Sequence, residues 1–186
     1  MLRRLAAWLF RLAGWSTSGP VPHQLPKFVL FVAPHATSND FYVGVGARAY
    51  INIWIYYLAK KELFRPAPVG WFLMKMGGYP VDRSRHHNFV DSVIALFNEH
   101  EEFRICVTPE GTRKDVQDLK TGFYYMALGA QVPIVFCGFD YARKTVLFGD
   151  PFYPTGNWEV DRKVMAAFFR QVQGTRKSWI GNYLTD

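Results

Sequence analysis

KFVLFVAPHATSND, residues 27–40, passes from an apolar run through a polar turn into the start of a new element. Lys27 to Ala33 is too short for a helix and shows no polar alternation, so it reads as a strand buried on both faces. Pro34 ends it, and Thr37, Ser38 or Asn39 can cap a helix predicted from about Asp40 to Tyr50. A buried strand that turns directly into a helix is the opening of an α/β unit.

The same alternation recurs downstream. INIWIYYLA (51–59) reads as a strand and LFRPAPVGWFLMKMGG (63–78) as a proline-broken helix that ends at its glycines. YPVDR (79–83) is a brief strand, HHNFVDSVIALFNEHEE (86–102) a helix, and FRICVTP (103–109) a strand that opens onto EGTRK. TGFYYMALGAQ is the next helix, PIVFCGFDY and KTVLFGDPF are strands, and WEVDRKVMAAFFRQVQG closes the chain as a helix. The predicted fold is α/β, with a mostly parallel or mixed central sheet flanked by helices.

With 186 residues, 49% of them apolar, the chain fits a single domain with a sizeable core. Twenty-two Lys and Arg against 15 Asp and Glu leave a formal charge of +7, which favours anionic partners. The basic residues are dispersed and form no recognised module, so nucleic-acid binding is not expected. Cys106 and Cys137 lie far apart in apolar runs and read as buried free thiols of a reducing, cytoplasmic compartment. No metal site is expected, because His86 and His87 have no further ligand at a usual spacing.

MLRRLAAWLFRLAGW is interrupted by Arg11 and does not read as a signal peptide. Leu2, Leu5, Leu9 and Leu12 recur at steps of three and four, with Trp8 and Trp15 alongside and Arg4 and Arg11 on another face. This is the pattern of an amphipathic helix lying in a membrane interface. Residues 1–20 are therefore read as an interfacial helix ahead of a domain over 21–186. The chain has no run of 18 apolar residues that would cross a bilayer.

Ligands of open α/β sheets gather at the C-terminal ends of strands. His35, Arg83 and the turn from Glu110 to Arg113 all leave predicted strand ends, which gives three polar clusters a shared edge to meet on. If His35 precedes the helix and Asp40 sits in its first turn, the carboxylate can reach back to one ring nitrogen. The other nitrogen is then left to accept a proton. The second cluster, TPEGTRKD, sets Gly111 in a tight turn beside Glu110, Thr112 and Arg113, with Lys120 following; backbone N–H groups beside cations suit a phosphate.

Taken together, His35-Ala-Thr-Ser-Asn-Asp40, Gly78-Tyr-Pro-Val-Asp-Arg83, Pro109-Glu-Gly-Thr-Arg113 and Val132-Pro-Ile-Val135 resemble the four ordered blocks of the glycerolipid acyltransferases, the 1-acylglycerol-3-phosphate acyltransferase family. The resemblance implies transfer of a fatty acyl group from acyl-CoA or acyl carrier protein to the hydroxyl of a lysophospholipid, giving phosphatidic acid. That thioester is a co-substrate, and no other cofactor is implied. His35 would be the general base and Asp40 its orienting partner. Arg83, Glu110, Gly111, Thr112, Arg113 and Lys120 would hold the acceptor's phosphate, and Val132 to Val135 would shape the acyl side or the core. Thr108 departs from the family's frequent Phe. The implied partners are a membrane surface and the thioester donor, with the enzyme peripheral on the inner, cytoplasmic face.

Two other functions are open to the same fold. Water in place of the acceptor would make a lysophospholipid or thioester hydrolase, although no G-x-S-x-G elbow is present. A membrane-binding scaffold would keep the fold without needing His35 and Asp40.

Overall fold

The structure, a computed structural model, describes residues 2–82, 89–114, 116 and 119–175. The strands it describes are β1 (Ser16–Ser18), β2 (Lys27–Val32), β3 (Tyr56–Lys60), β4 (Gly78–Val81), β5 (Phe103–Val107), β6 (Ile134–Asp140) and β7 (Thr145–Phe148). They form one sheet in the order β1-β7-β6-β2-β5-β3-β4. Every neighbouring pair is parallel except β6 with β7. The helices are α1 (Leu2–Leu12), α2 (Asn39–Ile51), α3 (Ala67–Lys75), α4 (Phe89–Glu99), α5 (Gly122–Ala130) and α6 (Trp158–Phe169).

Strand β2 is central, and its side chains alternate between two cores. Phe28, Leu30 and Val32 pack on one side with Val43, Ala47 and Ile51 of α2. Val29 and Phe31 face the other side, with Phe97 of α4, Phe123 of α5 and Phe169 of α6. Burial on both faces is why the strand carries no polar alternation.

The run 51–59 divides differently from the sequence reading. Ile51 is the last residue of α2, Asn52 ends that helix in the left-handed conformation at φ 59°, and β3 begins only at Tyr56. Asparagine tolerates that conformation, whereas β-branched residues do not. Ile51, Ile53 and Ile55 are all buried in the α2-side core, so their apolar character serves packing rather than a ladder. Serines and a threonine gave no sign of edge strand β1, which pairs with β7 from Ser16↔Thr145 to Ser18↔Leu147. The predicted helix over 86–102 is described from Phe89 onward; His86 and His87 lie outside the described residues.

Helix α1 combines two roles. Phe10 is its buried residue, set against α2 so closely that a Cβ on Gly46 would come within 2.9 Å of it. Leu2, Leu5, Trp8, Leu9 and Leu12 remain exposed, with Leu2 at 78%. The helix packs along α2 through the face that carries Phe10 and still presents its apolar stripe outward.

Candidate active site

Three parallel neighbours, β6, β2 and β5, build the site. Their registers pair Val32 with Cys137 and Phe31 with Val107, so all three end at the same edge of the sheet. The segments leaving that edge carry His35, the Thr108–Arg113 turn and Tyr141. Adjacency of β2 and β5 therefore accounts for the meeting of two clusters far apart in the chain, with a contact between His35 and Glu110 across 75 residues of sequence.

The chain leaves β2 through a cis Ala33–Pro34 peptide into the His35 turn. His35 Nδ1 lies 2.9 Å from Asp40 Oδ2. The same oxygen accepts the backbone N–H groups of Ala36 at 2.8 Å and Thr37 at 2.9 Å. Oδ1 accepts the hydroxyls of Thr37 at 3.2 Å and Tyr141 at 2.5 Å. Burial of Asp40 pushes its carboxyl up, but the bonds from His35, Thr37, Tyr141 and Ala36 outweigh it and hold the group down at about 2. Asp40 is thus a fixed anion in the first turn of α2, and it reaches back to His35 as a strand exit followed by a helix start allows. Ser38 occupies the N-cap position without a capping bond. The carboxylate of Asp40 ties down the preceding turn in its place.

Glu110 is only 2% exposed, and its Oε1 accepts the backbone N–H of His35 at 2.6 Å. It is joined to the His35 turn rather than presented to a phosphate, which a carboxylate would repel. Gly111 adopts φ 64°, a conformation in which a side chain is strained. Lys120 arches over it, with Nζ at 3.0 Å from where a Cβ on Gly111 would stand. Thr112 Oγ1 accepts the N–H of Lys114, and Arg113 donates to Ser38 Oγ at 2.8 Å. Both clusters are thereby bonded to each other at two points. Arg83 lies outside the described residues, as does Arg85.

Behind these groups lies a cavity of about 840 Å³, a size suited to a ligand with a long apolar part. His35, Asp40, Arg113 and Lys120 line it together with apolar residues that run beneath α2 from Phe41 to Ile51. Ten residues of helix span about 15 Å. Arg48, also on this wall, donates to the carbonyl of Ile55 at 2.9 Å and stacks over Trp54 at 4.4 Å. Burial lowers its pKa, against the opposing influence of Cys106 and Tyr57. Cys106 and Cys137 are free thiols on the cavity wall, and burial pushes Cys106 up to about 11. Unreactive thiols of this kind fit a wall better than a nucleophile. Val132, Ile134 and Val135, at the opposite end of β6, belong to the core and not to this cavity.

An imidazole with one nitrogen held by a buried carboxylate, at the mouth of an apolar cavity beside two cations, can deprotonate a hydroxyl carried by an anionic amphiphile. The family profile described as Acyltransferase matches residues 21–140. The chain belongs to that family. Among acyltransferases of known activity, the human 1-acyl-sn-glycerol-3-phosphate acyltransferase beta is 38% identical over 84 residues, which is 42% of this chain and 30% of that protein. The Bacillus subtilis 1-acyl-sn-glycerol-3-phosphate acyltransferase is 38% identical over 96 residues, 50% of this chain and 45% of that protein. The alignments thus span less than half of either relative. The solved 1-acyl-sn-glycerophosphate acyltransferase of Thermotoga maritima superposes with a TM-score of 0.59 over 94% of this chain and 78% of that one, at 18% identity; it shares the fold.

His35, Asp40, the Glu110–Arg113 turn and Lys120 all fall inside the matched acyltransferase segment. Tyr141 falls one residue beyond it. Sequence reading took Tyr141 for the end of a strand, and only the placement of β6 beside β2 reveals that it touches Asp40. Ser38 is legible in the sequence only as a helix cap, and Arg48 not at all. Among the described residues no cluster of three or more His, Cys, Asp or Glu could hold a metal ion.

Proposed function

We propose that the chain transfers a fatty acyl group from a thioester, acyl-CoA or acyl carrier protein, to the free hydroxyl of 1-acylglycerol-3-phosphate, giving phosphatidic acid. The observation that carries this reading is the His35–Asp40 pair at the mouth of the apolar cavity, flanked by Arg113 and Lys120. A fatty chain fits the cavity beneath α2, and a phosphate fits the two cations.

The reaction needs one base. Nε2 of His35 takes the proton of the acceptor hydroxyl while Asp40 holds Nδ1–H and stabilises the imidazolium. The oxygen attacks the thioester carbonyl, and the tetrahedral intermediate collapses with loss of the thiolate. The thiolate then takes the proton back from His35, which restores the base. A thiol leaves without strong acid help, so no second acid and no covalent acyl-enzyme is required. Arg113, Lys120 and Arg83 hold the phosphate; Glu110, Gly111 and Thr112 shape the turn that carries Arg113. No cofactor beyond the thioester takes part.

The lysophospholipid acceptor and the diacyl product reside in a bilayer, and the exposed stripe of α1 with Arg3, Arg4 and Arg11 supports docking on its anionic inner face. Among the described residues no helix is long and apolar enough to cross a membrane. The test is acyl transfer by purified protein on vesicles containing lysophosphatidic acid, with each donor in turn and His35→Ala alongside. Diacyl product from the parent alone supports the reading. Free fatty acid in place of diacyl product replaces it with hydrolysis.

A further inference from the structure

The Tyr141 hydroxyl donates to Asp40 Oδ1 at 2.5 Å, the shorter of the two side-chain bonds on that oxygen. The opposite oxygen serves His35 Nδ1 and two backbone N–H groups. Without the phenol, Oδ1 keeps the longer 3.2 Å bond from the Thr37 hydroxyl, and the carboxylate is then held mainly through Oδ2. The ring of Tyr141 is itself held. Trp15 meets it edge-on at a centroid separation of 5.0 Å, and Trp15 packs at 6.1 Å on Phe10, the residue that docks α1 on α2.

The backbone around these rings is equally tied. Ser16 N–H donates to the carbonyl of Lys144, and Lys144 Nζ donates to the carbonyl of Ala13. Asp140, fully buried, accepts the Arg143 N–H at 2.9 Å and fixes the turn on which Tyr141 sits. A continuous set of contacts therefore runs from the docked face of α1 through Phe10, Trp15 and Tyr141 to Asp40.

We infer that Tyr141 is a positioning residue for the His35–Asp40 pair, and that Trp15 makes its placement depend on the seating of the N-terminal helix. The phenol touches no substrate in this assignment. It acts by holding the carboxylate in the plane that receives Nδ1–H, and so by holding the imidazole in the tautomer whose Nε2 accepts a proton. Helix α1 thereby acquires an effect on the base that is separate from its attraction to lipid.

This inference rests on the proposed role of the pair as base and orienter, so its test has one readout that requires turnover and one that does not. Tyr141→Phe keeps the ring against Trp15 and removes only the hydroxyl. On lysophosphatidic acid vesicles it lowers kcat on the order of tenfold, as loss of a bond to a charged group does, with acceptor KM within about twofold. In 15N spectra of the imidazole at neutral pH, the parent shows the Nδ1–H tautomer and Tyr141→Phe shows signal from the second tautomer. Trp15→Ala lowers kcat in the same direction, Trp15→Phe restores part of it, and the double variant with Tyr141→Phe is no worse than Tyr141→Phe alone.

Parental kcat together with a single Nδ1–H tautomer in Tyr141→Phe overturns the role of the hydroxyl. Full additivity of Trp15→Ala with Tyr141→Phe overturns the link to the helix. Absence of acyl transfer by the parent refutes the proposed reaction, and the tautomer measurement then decides the role of Tyr141 without it.

Discussion

Glu110, in the turn after β5, accepts the backbone N–H of His35 through a 2.6 Å hydrogen bond and is almost wholly buried while doing so. The acid of the P-E-G-T-R block is thus a clamp on the turn that carries the proposed base. A buried N–H stripped of its acceptor costs about 1–3 kcal/mol. Glu110→Gln retains an amide oxygen at the same reach, whereas Glu110→Ala does not. We expect Glu110→Gln to retain most activity, and Glu110→Ala to lose about tenfold or more in kcat with a lowered unfolding midpoint. Steady-state kinetics and thermal unfolding of the pair check this. Equal loss in both variants would mean that the negative charge, rather than the clamp, is what matters.

The contrast between Glu110 and Asp40 marks what the sequence makes legible. The strand exit followed by a helix start lets Asp40 reach back to His35, because a carboxylate in a first helical turn lies beside the residues just before it. The partner of Glu110 depends on β2 lying next to β5, and the contact of Tyr141 depends on β6 lying on the other side of β2. Strand order is a tertiary property that local pattern does not encode. The buried strands and the closing helix are legible because burial on one or two faces dictates their periodicity. Ile51, Ile53 and Ile55 mislead for the same reason, since a β-branched run beneath a helix satisfies the core without forming a ladder. Serine-rich β1 sits at the edge of the sheet, where no apolar signal is required.

Acid sensitivity should report on Asp40. Its carboxyl is held at about 2 in the fold against an ordinary value of 3.8, so its contribution to stability is complete above about pH 4 and is lost as pH falls towards 2. The contribution is on the order of 2 kcal/mol. The gap in unfolding free energy between the parent and Asp40→Asn should therefore narrow across that window. Urea unfolding at steps from pH 5 to 2 measures it; a gap that stays constant would show that the native bonds to the carboxylate do not favour its charged form. The same variant should lose at least about a hundredfold in kcat, because an amide no longer fixes the tautomer of His35.

Arg113 and Lys120 line the cavity mouth with His35, and the Arg113 guanidinium already engages Ser38 Oγ at 2.8 Å. A phosphate that stays remote from the reacting carbonyl is held alike in ground and transition states. Arg113→Ala is therefore expected to raise acceptor KM by about tenfold or more while leaving kcat within about threefold. Donor KM should not change. Varying acceptor and donor separately distinguishes these effects, and a loss confined to kcat would move Arg113 from phosphate binding to the chemical step.

The outward face of α1 supplies the remaining prediction. Leu5 and Leu9 are about half exposed on this face, and together with Leu2 they border a groove completed by Trp54, Lys75 and Met76 at the end of α3. On α3 itself Trp71 and Phe72 are exposed, with Lys75 Nζ 4.0 Å from the Trp71 ring centroid. Aromatic rings beside cations suit the headgroup level of a bilayer, so the proposed footing on anionic lipid takes in both helices. Replacing both Leu5 and Leu9 by Glu removes apolar area and adds repulsion, and should weaken binding to anionic vesicles by at least about tenfold. Neither side chain supports the core, so the unfolding midpoint should hold; the buried Phe10 is the residue whose loss would lower it. Sedimentation with vesicles at two salt concentrations separates the apolar from the electrostatic part. Undiminished binding of the double Glu variant would place the lipid contact on α3 or elsewhere and leave α1 with its packing role on α2.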